Sequence, residues 1–271
     1  NQLPLDASPW KSVQKARDSR RFKASDILAA CFENLISFSA NNRCSPSSLI
    51  SCIGLFNELP VTILAHQKDI LNGQSGMLLP SDYRRVVRAI KQAEKFKRPI
   101  ITLIDTPGAD PSMASELKGQ ASAISESLAA FANTKVCVIT IILSEGGSGG
   151  ALAMGIGDAL LMLEHAYYSI ISPEGYASIL LRDASKAKQV AQSMKITAKE
   201  LKAMKIVDAI ILEQSYEDII RQVKDYLNNY LGKLMAYDSQ TLAEKRYEKY
   251  RNIARSDAKH LIDQGGLDLV A

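Results

Sequence analysis

Apolar residues along the chain recur at two spacings, which predicts short strands joined through helices. Residues 48–56 and 61–66 are strand-like runs separated by Asn57-Glu58-Leu59-Pro60, and they predict a hairpin. Beyond the hairpin, the predicted strands are 100–104, 136–143, 159–163, 167–171 and 206–212, and the predicted helices are 82–97, 117–132, 175–192 and 197–204. Continuously apolar strands that alternate with helices are typical of parallel strands buried on both faces. The fold class is therefore α/β.

Both ends of the chain are more polar than its middle. Apolar residues at helical spacing predict a helix over residues 24–37, and residues 69–80 are predicted to form a loop because they contain Gly73, Gly76 and Pro80. Residues 214–262 are predicted to form two charged helices. We expect three parts: an N-terminal helical extension at 1–45, an α/β domain at 46–213, and C-terminal helices at 214–271 that form a subunit interface.

Composition limits the classes of function. The 271 residues carry a formal net charge of +4, which fits phosphorylated or carboxylated small molecules. Few aromatic residues interleave with the basic ones, so nucleic-acid binding is not expected. No apolar run reaches the roughly 18–20 residues that cross a bilayer, and the N-terminal residues lack the apolar core of a signal peptide. The four cysteines form no C-x-x-C pair, so we expect a cytoplasmic protein with reduced thiols and no metal site in this chain.

Two loops follow predicted strands, at the edge where ligands collect in open α/β sheets. The first is Ile104-Asp105-Thr106-Pro107-Gly108-Ala109, and the second runs from Ser144 to Ala153 with four glycines among the five residues 146–150. Glycine lets the backbone approach a ligand closely, and a helix start presents unpaired N–H groups. The second loop could bind a developing oxyanion, or it could be a tight turn that only lets the helix pack on the sheet.

Two other motifs occur in these loops. Gly146-Gly147-Ser148-Gly149-Gly150 matches the G-x-S-x-G nucleophile elbow of hydrolases, whose triad also needs an acid and then a histidine later in the chain. His165 is predicted to lie in a turn and His260 in the charged tail, so a serine hydrolase using Ser148 is a distant alternative. Asp105-Thr106-Pro107-Gly108 mimics the D-x-x-G loop of GTPases, but no phosphate-binding G-x-x-x-x-G-K-[ST] occurs, which excludes a GTPase.

Several separate strings together resemble one family, the carboxyltransferase α subunit of bacterial acetyl-CoA carboxylase. In chain order, they are His66-Gln67-Lys68, Gly76-Met77, Tyr83-Arg84, residues 93–96, residues 99–109, Gly119-Gln120, residues 145–153 and residues 168–175. The resemblance covers roughly residues 10–255. It implies that residues 46–213 form a crotonase-like carboxyltransferase domain of repeated ββα units.

The resemblance also implies a function. The α subunit pairs with a β subunit as an α2β2 heterotetramer, works with biotin carboxylase and the biotin carboxyl carrier protein, and transfers the carboxyl group of carboxybiotin to acetyl-CoA, giving malonyl-CoA. Zinc is expected only in the β subunit, and biotin is not bound covalently here. The N–H groups of Gly149 and Gly150 would stabilise charge on the biotin ureido oxygen. The other expected substrate-binding residues are Gly146, Gly147, Ser148, Thr106, Pro107, Gly108, His66 and Lys68, although a solvated side chain is the commoner outcome for a lysine.

Several positions depart from the family's pattern. The segment after Lys68 is shorter and lacks a basic, threonine-containing string, and Glu116 alone remains of a glutamate pair. Other family strings are replaced at residues 37–44, 109–112 and 214–216. Because no loop glycine is lost, an active but divergent α subunit is the favoured interpretation. A paralogue that lost catalysis and acts as an assembly partner is the alternative.

Overall fold

The structure is a computed structural model, and it describes residues 9–38, 47–69 and 74–253. The strands are β1 (Glu33–Ser37), β2 (Leu49–Phe56), β3 (Leu59–His66), β4 (Lys68–Asp69), β5 (Gln74–Ser75), β6 (Ile100–Thr106), β7 (Val138–Gly147), β8 (Ala159–Leu163), β9 (Tyr167–Ser169) and β10 (Ala209–Ile211). The helices are α1 (Pro9–Ala16), α2 (Ala24–Cys31), α3 (Pro80–Lys95), α4 (Met113–Leu117), α5 (Gln120–Asn133), α6 (Ser148–Leu152), α7 (Pro173–Leu181), α8 (Ala187–Ala191), α9 (Ala198–Ala203), α10 (Tyr216–Leu234) and α11 (Ser239–Arg251).

One mostly parallel sheet forms the centre of the fold. Its strand order is β1-β2-β3-β6-β7-β8-β10, and β9 pairs with the end of β7. The first three strands are antiparallel and the rest are parallel. Every residue of β6, β7 and β8 is buried, as continuously apolar strands require. The predicted α/β class and the predicted hairpin of β2 and β3 are confirmed.

The largest differences from the predicted elements are at three places. The helix expected over residues 24–37 ends at Cys31, because Glu33–Ser37 pairs with β2 as an edge strand. The helix expected over 175–192 is interrupted after Leu181, where Arg182 takes a left-handed conformation with φ +52°. The loop expected over 69–80 contains a short strand, because Lys68–Asp69 pairs with Gln74–Ser75.

Both ends of the described chain pack on the same sheet. Four buried residues of α10, together with Leu242 of α11, belong to the main hydrophobic core. Trp10 and Val13 of α1 pack in a smaller cluster with Tyr167 of β9. The predicted tail beyond residue 253, including His260, lies outside the described residues. Among the described helices, none combines the length and the apolar character that a membrane crossing needs.

Candidate active site

The end of β7 departs from regular pairing just before the glycines. Ile104 pairs with Ile142, but Thr106 pairs with Gly146. A single residue of β6, Asp105, therefore faces three residues of β7, at positions 143–145. Such a bulge bends a strand and changes the direction of the residues beyond it, here the segment 146–150. The structure extends β7 to Gly147, so Gly146 and Gly147 belong to a strand end, whereas the sequence predicted a turn.

Side chains bind both backbone and side-chain groups of the bulge. Arg21 donates from Nη2 to the Leu143 carbonyl at 2.9 Å and from Nε to Ser144 Oγ at 2.8 Å. The N–H of Glu145 donates to Asp105 Oδ1 at 3.2 Å. Arg21 is itself held by two 2.6 Å hydrogen bonds to Glu213. Buried backbone groups need such partners, and these bonds keep the bulge in one conformation.

Three of the four loop glycines are required by packing. A Cβ added at Gly147 would lie 2.1 Å from the Pro107 carbonyl oxygen, and one added at Gly146 would lie 2.7 Å from Cδ2 of Tyr168. At Gly150 it would lie 2.4 Å from the Ala109 nitrogen. These distances leave no room for any side chain. The interpretation of the loop as a tight packed turn therefore holds for these positions.

Gly149 is different from the other three glycines. A Cβ added there would meet nothing nearer than Ile124 Cγ2, at 3.9 Å. Gly149 is half-buried and lies in the first turn of α6. Packing does not require a glycine at this position, because an added Cβ would have room there.

The first loop shapes the wall against which these glycines pack. Thr106 is fully buried, and its Oγ1 donates to the Gly108 carbonyl at 2.6 Å and accepts from the Gly108 N–H at 3.1 Å. This closes a turn in which Gly108 has φ +153°. The turn presses Pro107 and Gly108 against Gly147 and Gly150. Thr106 thus holds the loop in shape, and both hydrogen bonds of its hydroxyl are made within the loop.

Ser148 has the backbone of a nucleophile elbow. It is exposed, and its φ of +56° is a strained value for a residue other than glycine. Among the described residues, no histidine is hydrogen-bonded to Ser148. His66 is fully buried, and His165 Nε2 lies 3.0 Å from Lys15 Nζ. The geometry within the described residues supplies the elbow and no base beside it.

His66 and Lys68, predicted to contact substrate, are both withdrawn from the surface. His66 is the last residue of β3, and burial lowers its pKa to about 4, so the ring is neutral. The side chain of Lys68 is only 11% exposed and forms ion pairs with Glu145 and, at 3.9 Å, with Asp105. The expectation of a solvated lysine as the commoner outcome is wrong, because the buried carboxylates attract the ammonium group.

A charged cluster, buried except for the partly exposed Arg17 and Glu174, lies next to the glycines, and sequence reasoning missed most of it. We use this name for Arg17, Arg21, Lys68, Asp105, Glu145, Glu174 and Glu213. Glu145 and Glu174 were visible only as letters in family-like strings, and Arg17 and Arg21 carried no signal. Burial raises the pKa of Asp105 to about 6. Burial acts in the same direction on Glu145, but Lys68, Tyr167 and Arg17 outweigh it and hold the pKa of Glu145 below its usual value.

The Gly119-Gln120 string also has a structural role. Gly119 has φ +77° at the start of α5, and Gln120 Nε2 donates to the carbonyls of Leu78, at 2.9 Å, and Asp110, at 3.1 Å. Gln120 thereby ties the first loop to the segment before α3. Within the described ranges, no group of three or more histidine, cysteine or acidic side chains could hold a metal ion.

The fold is that of the crotonase-like carboxyltransferases. The structure superposes on transcarboxylase 12S with a TM-score of 0.68 and 21% identity, covering 80% of this chain and 43% of that one. It superposes on a chain of a Pseudomonas malonate decarboxylase hetero-tetramer, also with a TM-score of 0.68, at 17% identity over 89% of this chain and 98% of that one. These likenesses confirm the predicted crotonase-like fold.

Sequence comparison narrows the class to one family. Residues 3–254 match the family described as acetyl co-enzyme A carboxylase carboxyltransferase-like. The chain is 40% identical to the acetyl-coenzyme A carboxylase carboxyl transferase subunit alpha of Geobacillus kaustophilus, over 94% of this chain and 82% of that protein. It is also 40% identical to the Clostridium perfringens protein of the same name, over 93% of this chain and 97% of that protein. The chain belongs to the acetyl-CoA carboxylase carboxyltransferase family, as the resemblance predicted.

Proposed function

We propose that the chain is an active α subunit that transfers the carboxyl group of carboxybiotin, carried by a carrier protein, to acetyl-CoA, giving malonyl-CoA. The observation that carries this proposal is the contrast among the loop glycines. Packing explains Gly146, Gly147 and Gly150, but not Gly149, where an added Cβ would have room. A glycine retained without a packing reason, at a position with a free N–H, favours catalysis over assembly alone.

The chemistry that we propose for this chain is electrostatic. Carboxybiotin would supply the carboxyl group, and the chain must stabilise the negative charge left on the ureido oxygen. The N–H groups of Gly149 and Gly150 lie in the first turn of α6, where the helix offers them no acceptor. Each well-placed donor is worth about 3–4 kcal/mol in comparable oxyanion sites. No protein nucleophile is required, so Ser148 acts as a turn residue.

In this proposal, the pocket is completed by the first loop and by two residues at strand ends, His66 and Lys68. Pro107 and Gly108 form the wall against Gly147 and Gly150, and Thr106 holds that wall in shape. His66 remains neutral and contributes a buried, uncharged strand end. Lys68 acts on substrate only through Glu145, because its ammonium group is paired there.

A β subunit would complete the site from outside and hold acetyl-CoA. Apolar side chains are exposed on elements that follow the carboxyl ends of β6, β7 and β9, the same edge as the glycine loop: Met113, Leu117, Leu152, Ile170 and Ile179. Several exposed apolar side chains at one edge favour a protein interface there. The curated relatives are named as subunits alpha, which supports a heteromeric enzyme. In this proposal the zinc of the complex is bound by the β subunit. The complex works together with biotin carboxylase, in the cytoplasm.

The interface can be tested separately from catalysis. We expect the double substitution Met113→Glu and Leu117→Glu to weaken binding of the β subunit at least about tenfold, because two charges would enter an apolar interface. Met235→Glu and Tyr237→Glu, at exposed positions after α10, are the matched pair for the C-terminal region. Loss of binding only in the second pair would assign the interface to the C-terminal helices.

The test of the oxyanion assignment is Gly149→Val in complex with the β subunit from the same genome. Malonyl-CoA formation from acetyl-CoA and carboxybiotinylated carrier is measured, together with thermal unfolding and complex formation. We expect transfer to be abolished while the chain folds and assembles as before. Gly232→Val on α10 is the matched control, because an added Cβ there meets nothing within 4 Å.

Each outcome of this experiment decides between the candidate functions. Retained transfer by Gly149→Val would remove Gly149 from the oxyanion site. A wild-type chain that assembles with the β subunit but gives no malonyl-CoA would support the assembly paralogue.

A further inference from the structure

Glu145 lies two residues before Gly147, and its buried carboxylate joins three separate segments. It accepts a hydrogen bond from Arg17 Nε at 2.9 Å, one from the Tyr167 hydroxyl at 2.5 Å, and a short one from Lys68. Arg17 follows α1, Lys68 lies in β4 and Tyr167 begins β9. Glu145 itself is 4% exposed. One side chain therefore fastens three segments to the end of the strand that carries the glycines.

The backbone of Glu145 is held as well. Its N–H lies in the bulge of β7, where three residues of β7 lie opposite the single residue Asp105 of β6. This N–H donates to Asp105 Oδ1 at 3.2 Å. Lys68 lies between the two carboxylates, paired with Glu145 and 3.9 Å from Asp105. Both the position and the direction of this strand end thus depend on the same group of charges.

The network continues to the far side of the loop. Arg17 makes hydrogen bonds of 2.6 and 3.0 Å to Glu174, in the first turn of α7. Residues 145–147 of β7 pair with 167–169 of β9, the short strand that leads to α7. The N-terminal segment therefore connects the glycine strand to α7 through one guanidinium group.

Stability alone does not explain so many buried charges. A buried ion pair usually stabilises a fold no more than well-packed apolar residues of similar volume would. Glycines, in turn, leave the backbone free to adopt many conformations. Donors that stabilise a developing charge must be fixed in advance, because a small displacement weakens them steeply. The contacts with residues 107–109 fix the loop from one side, and the charged cluster fixes it from the other.

We infer that Glu145 is a positioning residue for carboxyl transfer, which holds the end of β7 so that the N–H groups of Gly149 and Gly150 point at the reacting oxygen. Arg17, Lys68 and Tyr167 act through Glu145. This inference rests on the proposed function. It assigns to Lys68 and Glu145 a role that involves no contact with substrate.

The test is Glu145→Gln, which keeps the shape and an acceptor oxygen but removes the charge. We expect kcat per folded complex to fall about 100-fold, as for other small misplacements of catalytic groups, while KM for carboxylated carrier changes less than about threefold. The fall in kcat without a matching rise in KM is expected because the N–H donors act in the transition state. Glu126→Gln, on the exposed face of α5, is the matched control and should leave both values unchanged.

A second readout does not require activity. Amide hydrogen exchange of peptides covering residues 145–153 should be about tenfold faster in Glu145→Gln than in the wild type, because the strand end opens locally more often. Lys68→Met should accelerate exchange in the same peptides. The double variant should be no faster than Glu145→Gln alone, since the two residues act as one pair.

The outcomes separate this inference from the proposed function. An active wild type with unchanged kcat in folded Glu145→Gln would overturn the positioning role and leave the proposed function standing. An inactive wild type would overturn the proposed function. In that case unchanged exchange over residues 145–153 would overturn the positioning role as well, and accelerated exchange would support it independently of catalysis.

Discussion

The Cα of Gly150 lies against the backbone of Ala109, so closely that an added Cβ would come within 2.4 Å of the Ala109 nitrogen. This contact joins the two loops at the ends of β6 and β7. It packs the backbone of the loop after β6 directly against the glycine loop after β7.

Alanine at Gly150 and at Gly149 should therefore have different consequences. We expect Gly150→Ala to lower the free energy of unfolding by about 1–3 kcal/mol, because the methyl group would overpack the interface with Ala109. Gly149→Ala should change it by less than about 1 kcal/mol, since the nearest atom would be 3.9 Å away. Urea denaturation of both variants measures this difference. Equal destabilisation would mean that the space in front of Gly149 is not open.

Ser148 stores backbone strain that glycine would release. We expect Ser148→Gly to raise the free energy of unfolding by up to about 1 kcal/mol, because a left-handed conformation costs a residue with a Cβ roughly 1–2 kcal/mol and glycine loses only part of that in chain entropy. Carboxyl transfer should persist in this variant. A serine-directed phosphonate should not label the wild type. Stoichiometric labelling of Ser148 would instead support the hydrolase.

Asp105 should make the stability of the chain fall as pH rises from about 4 to about 6. Burial raises its pKa from 3.8 to about 6, with Lys68, Glu145 and Arg21 as the charged neighbours. In this window the folded chain retains a proton that the unfolded chain has lost, so rising pH favours unfolding. Asp105→Asn removes this titration and keeps a side-chain oxygen that can accept the hydrogen bond from the Glu145 N–H.

The measurement is the free energy of unfolding of both proteins from pH 4 to pH 7. Relative to the wild type, the Asn variant should become more stable by about 2 kcal/mol between pH 4 and pH 6, and the difference should change little above that range. A difference that is the same at every pH would show that folding does not shift the pKa of Asp105.

Arg246 should be the residue that fixes α11 to the sheet. It is 2% exposed, and its five N–H donors reach both carboxylate oxygens of Asp158 and the carbonyls of Phe131, Thr134 and Val136. We expect Arg246→Lys to lower the free energy of unfolding by at least about 2 kcal/mol, because an ammonium group cannot replace the planar fork. Arg251→Lys, at an exposed position of the same helix, is the control.

Local patterns were sufficient wherever a segment contacts mainly its neighbours in sequence. The hairpin of β2 and β3 was predicted in this way, and so was the helix that begins near Thr197. The helix over 24–37 was wrong because Leu35 and Ile36 fit either spacing, and only pairing with β2 makes that segment a strand. Propensity is a weak prior when a sheet edge is available.

For the candidate site, the sequence predicted the two loops and the family. It predicted a contact between Lys68 and substrate, whereas the structure places Lys68 against Glu145, 77 positions further along the chain. Arg17, 128 positions from Glu145, could not be predicted at all, because no local spacing marks a partner so distant.

By itself, the sequence determined the α/β class, the family and the glycine loop, because periodicity and motif strings are properties of neighbouring residues. The tertiary structure alone decided which of the loop glycines packing requires, and it alone brought Arg17, Lys68 and Glu145 together. Steric exclusion at Gly147 and Gly150, and the pairing of buried charges, arise between segments far apart in the chain. They exist only once the sheet has assembled.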